Sequence, residues 1–311
     1  MSASWARRLF AFTVAGLALS GCLRPEYVQY TPSLMETEWD RYHQAEVDGQ
    51  NHVSEAGYRD MCERDPSYPR ACYDLSRLLF SVGRVDEARG ESVRFIKGFP
   101  DDAMGPTAAK RLAASYAETR QWDEGRAALE ALAEQVKGTD VYDSVLYRLG
   151  DLLRKAGRFS DEAQVLRRLI DTHKRWDSQL WDDAIWRLIQ IQKEQGDQKA
   201  EKILLEKLLD TREPSLIIGS YNSPHHDDAL LRLGYLFLEM GDHKQARKCF
   251  KDLTGLEASR LRDDGHLGIA KVEKALGRRD RACKQLQRIM DMPAANSRRK
   301  AKELSQSMGC P

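Results

Sequence analysis

LRLGYLFLEMGDHKQARKCFKDL, residues 231–253, has an apolar pattern of helical period on each side of Gly241. A glycine at this point predicts a tight turn between two helices, because glycine adopts a left-handed backbone conformation at little cost. The same order returns in YRLGDLLRKAGRFSDEAQVLRRL, residues 147–169, and again at 73–95 and 268–289. A helix–turn–helix unit that recurs along a chain predicts a stack of helical hairpins.

The turns recur at a nearly constant period. Spacings of 37, 37, 39, 45 and 36 residues separate the turn positions Gly83, Arg120, Gly157, Gly196, Gly241 and Gly277. The 45-residue step contains residues 212–224, which break the period. Long alternating runs of Val, Ile and Thr are missing from the sequence, so no strands are expected. A generic helical bundle is the alternative fold, and the regular period disfavours it.

The unit that begins at Asp227 resembles the tetratricopeptide repeat. The positions that match are Leu230, Leu233, Gly234, Phe237, Ala246, Phe250 and Leu253. Gly234 and Ala246 are small where the two helices of the hairpin are expected to approach closely. The other units resemble the repeat with more departures, such as Arg120 at a turn. The resemblance implies an all-α superhelix, a solenoid of about seven hairpins and a C-terminal capping helix over residues 35–311.

The first residues have the order of a bacterial export signal. Arg7 and Arg8 precede an apolar run at residues 9–19, which is too short to span a bilayer as a helix. The sequence Leu-Ser-Gly-Cys, which ends at Cys22, resembles the lipobox of bacterial lipoproteins. A plain secretory signal with a chance cysteine is the alternative interpretation.

The lipobox resemblance implies how the chain is processed and where it resides. Residues 1–21 would be removed as a signal peptide, lipid would be attached at Cys22, and residues 22–34 would form a flexible tether. Buried acyl chains hold a soluble domain on one leaflet without spanning the bilayer. Leu23 stands where enteric-type lipoproteins of the inner membrane have Asp, which implies an outer-membrane location facing the periplasm.

Four of the remaining cysteines are predicted to pair at the two ends of the stack. In the hairpin register, Cys62 ends one helix and Cys72 begins the next, so antiparallel packing brings them together. Cys283 and Cys310 meet in the same way at the C-terminal end, and each disulfide would contribute about 2–4 kcal/mol. Cys249 would then be a buried thiol. The alternative is five free cysteines packed as small core residues.

The resemblance implies that the first helix of each hairpin lines a groove for a partner. The register assigns nine residues to this groove: Arg70, Tyr73, Arg77, Phe80, Tyr147, Arg154, Trp186, Asp228 and Tyr235. Aromatic side chains mixed with arginines suit an extended peptide or a partner helix. The alternative is that several of these aromatic residues belong to the core.

The sequence gives no reason to expect catalysis, a cofactor or nucleic acid. From Cys22 onward the chain has 47 basic and 48 acidic residues, a balance that favours neither a nucleic acid nor an anionic surface as a partner. Adjacent side chains at residues 225–228, His-His-Asp-Asp, point apart on a helix or turn, which argues against a metal site. No known catalytic motif is present, so we expect neither an enzyme nor a protein with a small-molecule substrate.

The whole pattern resembles tetratricopeptide lipoproteins of the bacterial envelope. Proteins of that kind serve outer-membrane barrel assembly, coordination of cell division, or the assembly of pili and secretion channels. The resemblance implies a lipid-anchored periplasmic scaffold that binds other envelope proteins or peptides. A peptidoglycan- or carbohydrate-binding accessory lipoprotein is the alternative function.

Overall fold

A computed structural model describes residues 33–65, 67–172, 178, 180–210, 223–256 and 259–311. The predicted signal peptide, Cys22, nearly all of the tether and residues 212–222 lie outside the described residues. The described residues form fifteen helices and no strand: α1 Leu34–Val47, α2 Asn51–Arg64, α3 Pro69–Ser81, α4 Val85–Gly98, α5 Gly105–Glu118, α6 Trp122–Gln135, α7 Tyr142–Lys155, α8 Phe159–Thr172, α9 Trp181–Gln195, α10 Gln198–Asp210, α11 His226–Glu239, α12 His243–Thr254, α13 Arg262–Ala275, α14 Arg279–Asp291 and α15 Arg298–Met308.

The helices stack in the order of the chain. α1 and α2 form the first hairpin, α13 and α14 form the seventh, and α15 packs against α14 at the C-terminal end. Each hairpin also packs against the next one, through contacts such as those of α2 with α3 and of α12 with α13. The predicted fold class, an all-α solenoid of hairpins, is therefore confirmed for the described residues.

The turns lie where the sequence predicts them. All six residues at the turn positions have a positive φ, from 57° at Arg120 to 80° at Gly83. Arg120 is the one residue other than glycine with a positive φ in the described part of the chain. A left-handed backbone costs an L-residue with a side chain about 1–2 kcal/mol, so the turn between α5 and α6 carries local strain.

Buried Arg89 of α4 stabilises this strained turn through hydrogen bonds. Its guanidinium donates hydrogen bonds to the Oγ1 of Thr119 at 2.7 Å and to the Oε1 of Gln121 at 2.7 Å, the residues on either side of Arg120. The same group also donates to the backbone oxygen of Ser115 at 2.9 Å. Hydrogen bonds from a charged donor are roughly twice as strong as neutral ones, which explains how a non-glycine residue is held at this turn.

Both ends of the stack are closed by disulfide bonds. The Sγ atoms of Cys62 and Cys72 are bonded, as are those of Cys283 and Cys310, with Cα–Cα distances of 4.9 and 5.6 Å. Cys249 is a buried free thiol on α12. The first pair joins α2 to α3, and the second joins α14 to the second residue after α15, so the two disulfides lie near the two ends of the hairpin stack.

The core runs along the stack in the space between the hairpins. The largest cluster of buried side chains extends from Trp39 in α1 to Val272 in α13, and a second cluster joins α13 and α14 to Ala301 of α15. No helix in the described ranges has the length and apolar character that crossing a membrane requires.

Candidate functional site

The odd-numbered helices from α1 to α13 form one surface, which we call the first-helix surface. Along it, an aromatic ring of one hairpin is stacked by a cationic or imidazole group of the next. The ring–partner distances, in the order of the chain, are Trp39–Arg70 3.4 Å, Tyr73–Arg111 5.2 Å, Tyr147–Arg187 4.7 Å, Trp186–His225 5.1 Å and Tyr235–Lys271 4.7 Å. Stacking of a cation on a ring contributes about 0.5–1 kcal/mol at exposed sites and more where water is excluded.

Four of the predicted groove residues are therefore used in packing between hairpins. Tyr73, Tyr147, Trp186 and Tyr235 are all partly buried, and each has one face covered by the following hairpin. Burial raises the pKa of Tyr235 to about 12, with a smaller contribution from the charge of Asp264. These rings stiffen the first-helix surface, and the covered face of each is closed to a partner.

Arg77 is tied into a polar network between α1 and α3. Its Nη1 and Nη2 atoms donate to both carboxylate oxygens of Glu46 at 2.6 Å, and its Nε donates to Asp74 at 2.9 Å. Asp74 also accepts a 2.8 Å hydrogen bond from the indole of buried Trp39. Burial acts to raise the pKa of Glu46, but the hydrogen bonds and charge of Arg77 outweigh it and lower the pKa below 4.5. The network holds Arg77 in one position beside the next hairpin.

A second network fixes Arg154 of α7. Glu162 is fully buried, and its Oε1 accepts hydrogen bonds from the Nε of Arg154 at 2.8 Å and the Nε of Arg187 at 3.0 Å. Asp151 bridges Arg148 and Arg187, at 2.8 and 2.7 Å. Three arginines of two hairpins are thus held around two carboxylates. Breaking one partner of such a buried ion pair costs several kcal/mol.

Two clefts open on the first-helix surface where α5 meets its neighbours. Within the described part of the chain, no ring–cation pair bridges α5 and α7. The α3–α5 cleft has a volume of about 390 Å³ and includes Arg77, Phe80 and Arg111. The α5–α7 cleft has a volume of about 300 Å³ and is lined by three alanines of α5, four basic residues, one acidic residue and a leucine: Ala113, Ala114, Ala117, Lys110, Arg148, Arg154, Lys155, Asp151 and Leu152. α5 and α7 pack directly against each other, and the small side chains of α5 form one wall of this cleft.

Arginine side chains beside both clefts have nitrogens that the fold leaves unpaired. Arg111 Nη1, Arg148 Nε and Arg154 Nη2 are buried and have no hydrogen-bond partner among the described residues. Leaving a buried donor unpaired costs about 1–3 kcal/mol, and because these nitrogens are shielded from solvent, the side chains must shift for an incoming acceptor to reach them. A peptide carbonyl or a carboxylate fits this requirement.

The amino-acid sequence predicted some residues of the clefts and missed others. Arg77 and Phe80 line the α3–α5 cleft and Arg154 lines the α5–α7 cleft, whereas exposed Asp228 belongs to neither. The residues that it missed are Lys110, Arg111 and Arg148. The signal that could have found them is the run of small residues in α5, at positions where other first helices carry large side chains.

Two family models match segments of this chain. Residues 110–178 match one model of the tetratricopeptide repeat, and residues 228–255 match another. Within these two segments the chain is similar to the tetratricopeptide repeat. The first matched segment begins in α5 and includes all of α7, so the α5–α7 cleft lies between first helices of these repeats. No curated protein matches the chain significantly.

Several solved structures resemble the repeats at low sequence identity. A tetratricopeptide repeat protein from Parabacteroides merdae is 13% identical, with 88% of this chain and 98% of that chain covered and a TM-score of 0.37. The structure of Naa15/Naa10 bound to HypK-THB is 16% identical over 83% of this chain and 37% of that chain, with a TM-score of 0.46. YrrB, described as a TPR protein with an unusual peptide-binding site, is 11% identical over 63% and 89%, with a TM-score of 0.43. Likenesses of this degree say nothing about the function of the present chain.

Proposed function

We propose that this protein is a scaffold that binds an extended segment of another protein in the two clefts beside α5. The observation that carries the proposal is the set of arginine side chains that line the two clefts, Arg77 and Arg111 in one and Arg148 and Arg154 in the other. Neighbouring clefts with fixed donors suit backbone carbonyls and carboxylates that are spaced along a peptide. Phe80 adds an apolar contact in the α3–α5 cleft.

The proposed setting is the bacterial envelope. The Leu-Ser-Gly-Cys sequence that ends at Cys22, after an apolar run of signal-peptide length, supports a lipid anchor at that cysteine. Two disulfides in a short hairpin stack favour an oxidising compartment such as the periplasm. We therefore place the scaffold on the outer membrane, facing the periplasm, where it would hold proteins during envelope assembly.

A peptide partner is favoured over a sugar polymer. Carbohydrate binding uses aromatic rings with an open face, and four of the predicted groove rings have one face covered by the next hairpin. The clefts instead offer guanidinium groups and a small apolar wall. A peptidoglycan-binding accessory role remains the alternative that the following experiment tests.

Site-specific photo-crosslinking in intact cells tests the proposal. A photoreactive amino acid is placed at Ala114, which borders both clefts, and in a matched strain at exposed Lys97 at the end of α4. We expect envelope proteins to be captured from Ala114 and not from Lys97. The substitutions Arg111→Ala and Arg148→Ala should remove the captured protein. Capture of muropeptides at Ala114, or equal capture at both positions, would refute the peptide scaffold.

A further inference from the structure

A cavity of about 880 Å³ lies between the second helices of the last two hairpins, α12 and α14, with α13 forming its third wall. It shares no lining residue with the clefts beside α5. Its wall contains six Lys and Arg residues and no Asp or Glu: Lys244, Arg247, Lys248, Lys251, Arg278 and Arg288. The cavity is therefore a concentrated positive site, which the role of the clefts does not explain.

Most of these charges are not neutralised within the fold. Among the described residues, no carboxylate oxygen lies within 4.0 Å of the ammonium groups of Lys244, Lys248 and Lys251 or of the guanidinium of Arg288. Like charges around one cavity add up to a strong positive potential inside it. An anion that enters the cavity is therefore attracted by all of them.

The two other arginines are positioned by a buried carboxylate behind the wall. Glu273 is 1% exposed, and its oxygens lie 3.1 Å from the Nε of Arg247 and 3.6 Å from the Nη1 of Arg278. One carboxylate balances only one of the two guanidinium charges. Each guanidinium retains further N–H donors that this contact does not use.

The net charge of the chain is unevenly distributed, and the part that contains the cavity is positive. Residues 241–311 contain 17 Lys and Arg and nine Asp and Glu, a net charge of +8, whereas the whole chain carries +1 and residues 1–240 therefore carry −7. A basic end on an otherwise acidic chain indicates an anionic ligand at that end. The near-neutral total charge conceals this division.

We propose that this cavity binds a phosphate-bearing ligand. Six cationic side chains from three structural elements line this one open cavity, which suits an anion that carries several charges. An acidic peptide spreads its carboxylates along an extended chain, so it would satisfy fewer of these cations at once. Phosphate groups also accept several charge-assisted hydrogen bonds each. The phosphate can belong to a lipid headgroup or to a soluble compound.

Calorimetric titration of the full chain with tripolyphosphate, and with citrate as a carboxylate control, tests the site. The cavity variant combines Lys244→Glu, Lys248→Glu and Lys251→Glu, all at exposed helical positions. The matched control combines Arg299→Glu, Lys300→Glu and Lys302→Glu on α15, which changes the net charge equally. We expect saturable binding of tripolyphosphate that weakens about 100-fold or more in the cavity variant, because three charge-assisted contacts are lost, and that is retained in the control.

Three outcomes would overturn the proposal: no saturable binding of tripolyphosphate, equal weakening in both variants, or binding of citrate as tight as that of tripolyphosphate. The last outcome would indicate an acidic protein segment as the ligand.

Vesicles then separate the two sources of phosphate. If headgroups occupy the cavity, vesicles of phosphatidylglycerol and phosphatidylcholine weaken tripolyphosphate binding, and vesicles of phosphatidylcholine alone do not. If neither kind of vesicle competes, the ligand is a soluble phosphate compound.

Discussion

Replacement of Gly234 by Ala sets helix propensity against packing, and the two effects have opposite signs. Gly234 lies inside α11, where alanine is intrinsically favoured over glycine by about 0.8–1 kcal/mol. A Cβ atom at this position, however, would lie 2.6 Å from Cε1 of Phe250 and 2.8 Å from its Cδ1 and Cζ. Ordinary contacts of this kind are 3.4–4 Å, so the ring or the helix would have to move by about 1 Å.

Phe250 has no room to make this movement. The ring is fully buried, and its other side faces Gly268 of α13, where an added Cβ would lie 2.4 Å from Cδ1. The edge of Tyr235 closes the remaining side, with ring centroids 5.1 Å apart. Overpacking a core costs about 1–3 kcal/mol. The upper end of this range applies because the ring of Phe250 is enclosed between α11 and α13. We therefore expect Gly234→Ala to destabilise the protein by about 2 kcal/mol, after subtraction of the propensity gain.

Gly90 provides the matched control. It lies inside α4 with a helical backbone, and no heavy atom lies within 4 Å of the position that its Cβ would occupy. Gly90→Ala should therefore stabilise the protein by about 0.5–1 kcal/mol. Urea unfolding followed by circular dichroism gives the free energy of unfolding of each variant.

A double-mutant cycle with Phe250→Leu tests whether contact with Phe250 causes the destabilisation by Gly234→Ala. The smaller side chain should relieve the contact, so the double variant should be more stable than the sum of the single effects by about 3 kcal/mol, the full packing cost. If Gly234→Ala instead stabilises the protein as Gly90→Ala does, the close contact between α11 and Phe250 is absent and the reasoning fails.

Four further predictions concern the turn, the cysteines, the polar network and the anchor. Arg120→Gly should raise the free energy of unfolding by about 0.5–1 kcal/mol, because it relieves a left-handed backbone at a residue with an exposed side chain; a loss of stability in urea titration would contradict this. Burial raises the pKa of the Cys249 thiol to about 11, so iodoacetamide should label it only after denaturation, and without reductant it should be the one cysteine labelled between residues 33 and 311; peptide mass mapping that finds more labelled cysteines would exclude the disulfides. Arg77 lowers the pKa of Glu46, so this ion pair stabilises the fold above pH 4.5 and is lost as the pH falls through the lower folded-state pKa; acid unfolding of Glu46→Gln should show a smaller loss over that range, and an unchanged profile would count against it. Cys22→Ser should abolish incorporation of radiolabelled palmitate and release the protein from the membrane fraction, whereas retained label would disprove lipidation at this position.

The candidate site could be predicted only in part. The helical register assigned Arg77, Phe80 and Arg154 to a groove, and these three residues line the clefts beside α5. It could not indicate that Tyr147 is covered by Arg187, since these residues are 40 positions apart and belong to different hairpins. It also overlooked Ala114, because the space that an alanine leaves open depends on what the neighbouring helices place beside it.

The sequence by itself determined the hairpins and their turns. Apolar spacing and left-handed turn positions are properties of a few consecutive residues, so even Arg120, which lacks the freedom of glycine, was located by the period of its neighbours. Only the tertiary structure decided which charged side chains lack a partner and where cavities remain. The arginine-lined clefts beside α5 and the basic cavity beside α12 arise where two or three helices meet. The physical reason is that helix formation depends on local periodicity, whereas the burial and pairing of a polar atom depend on every side chain that packs around it.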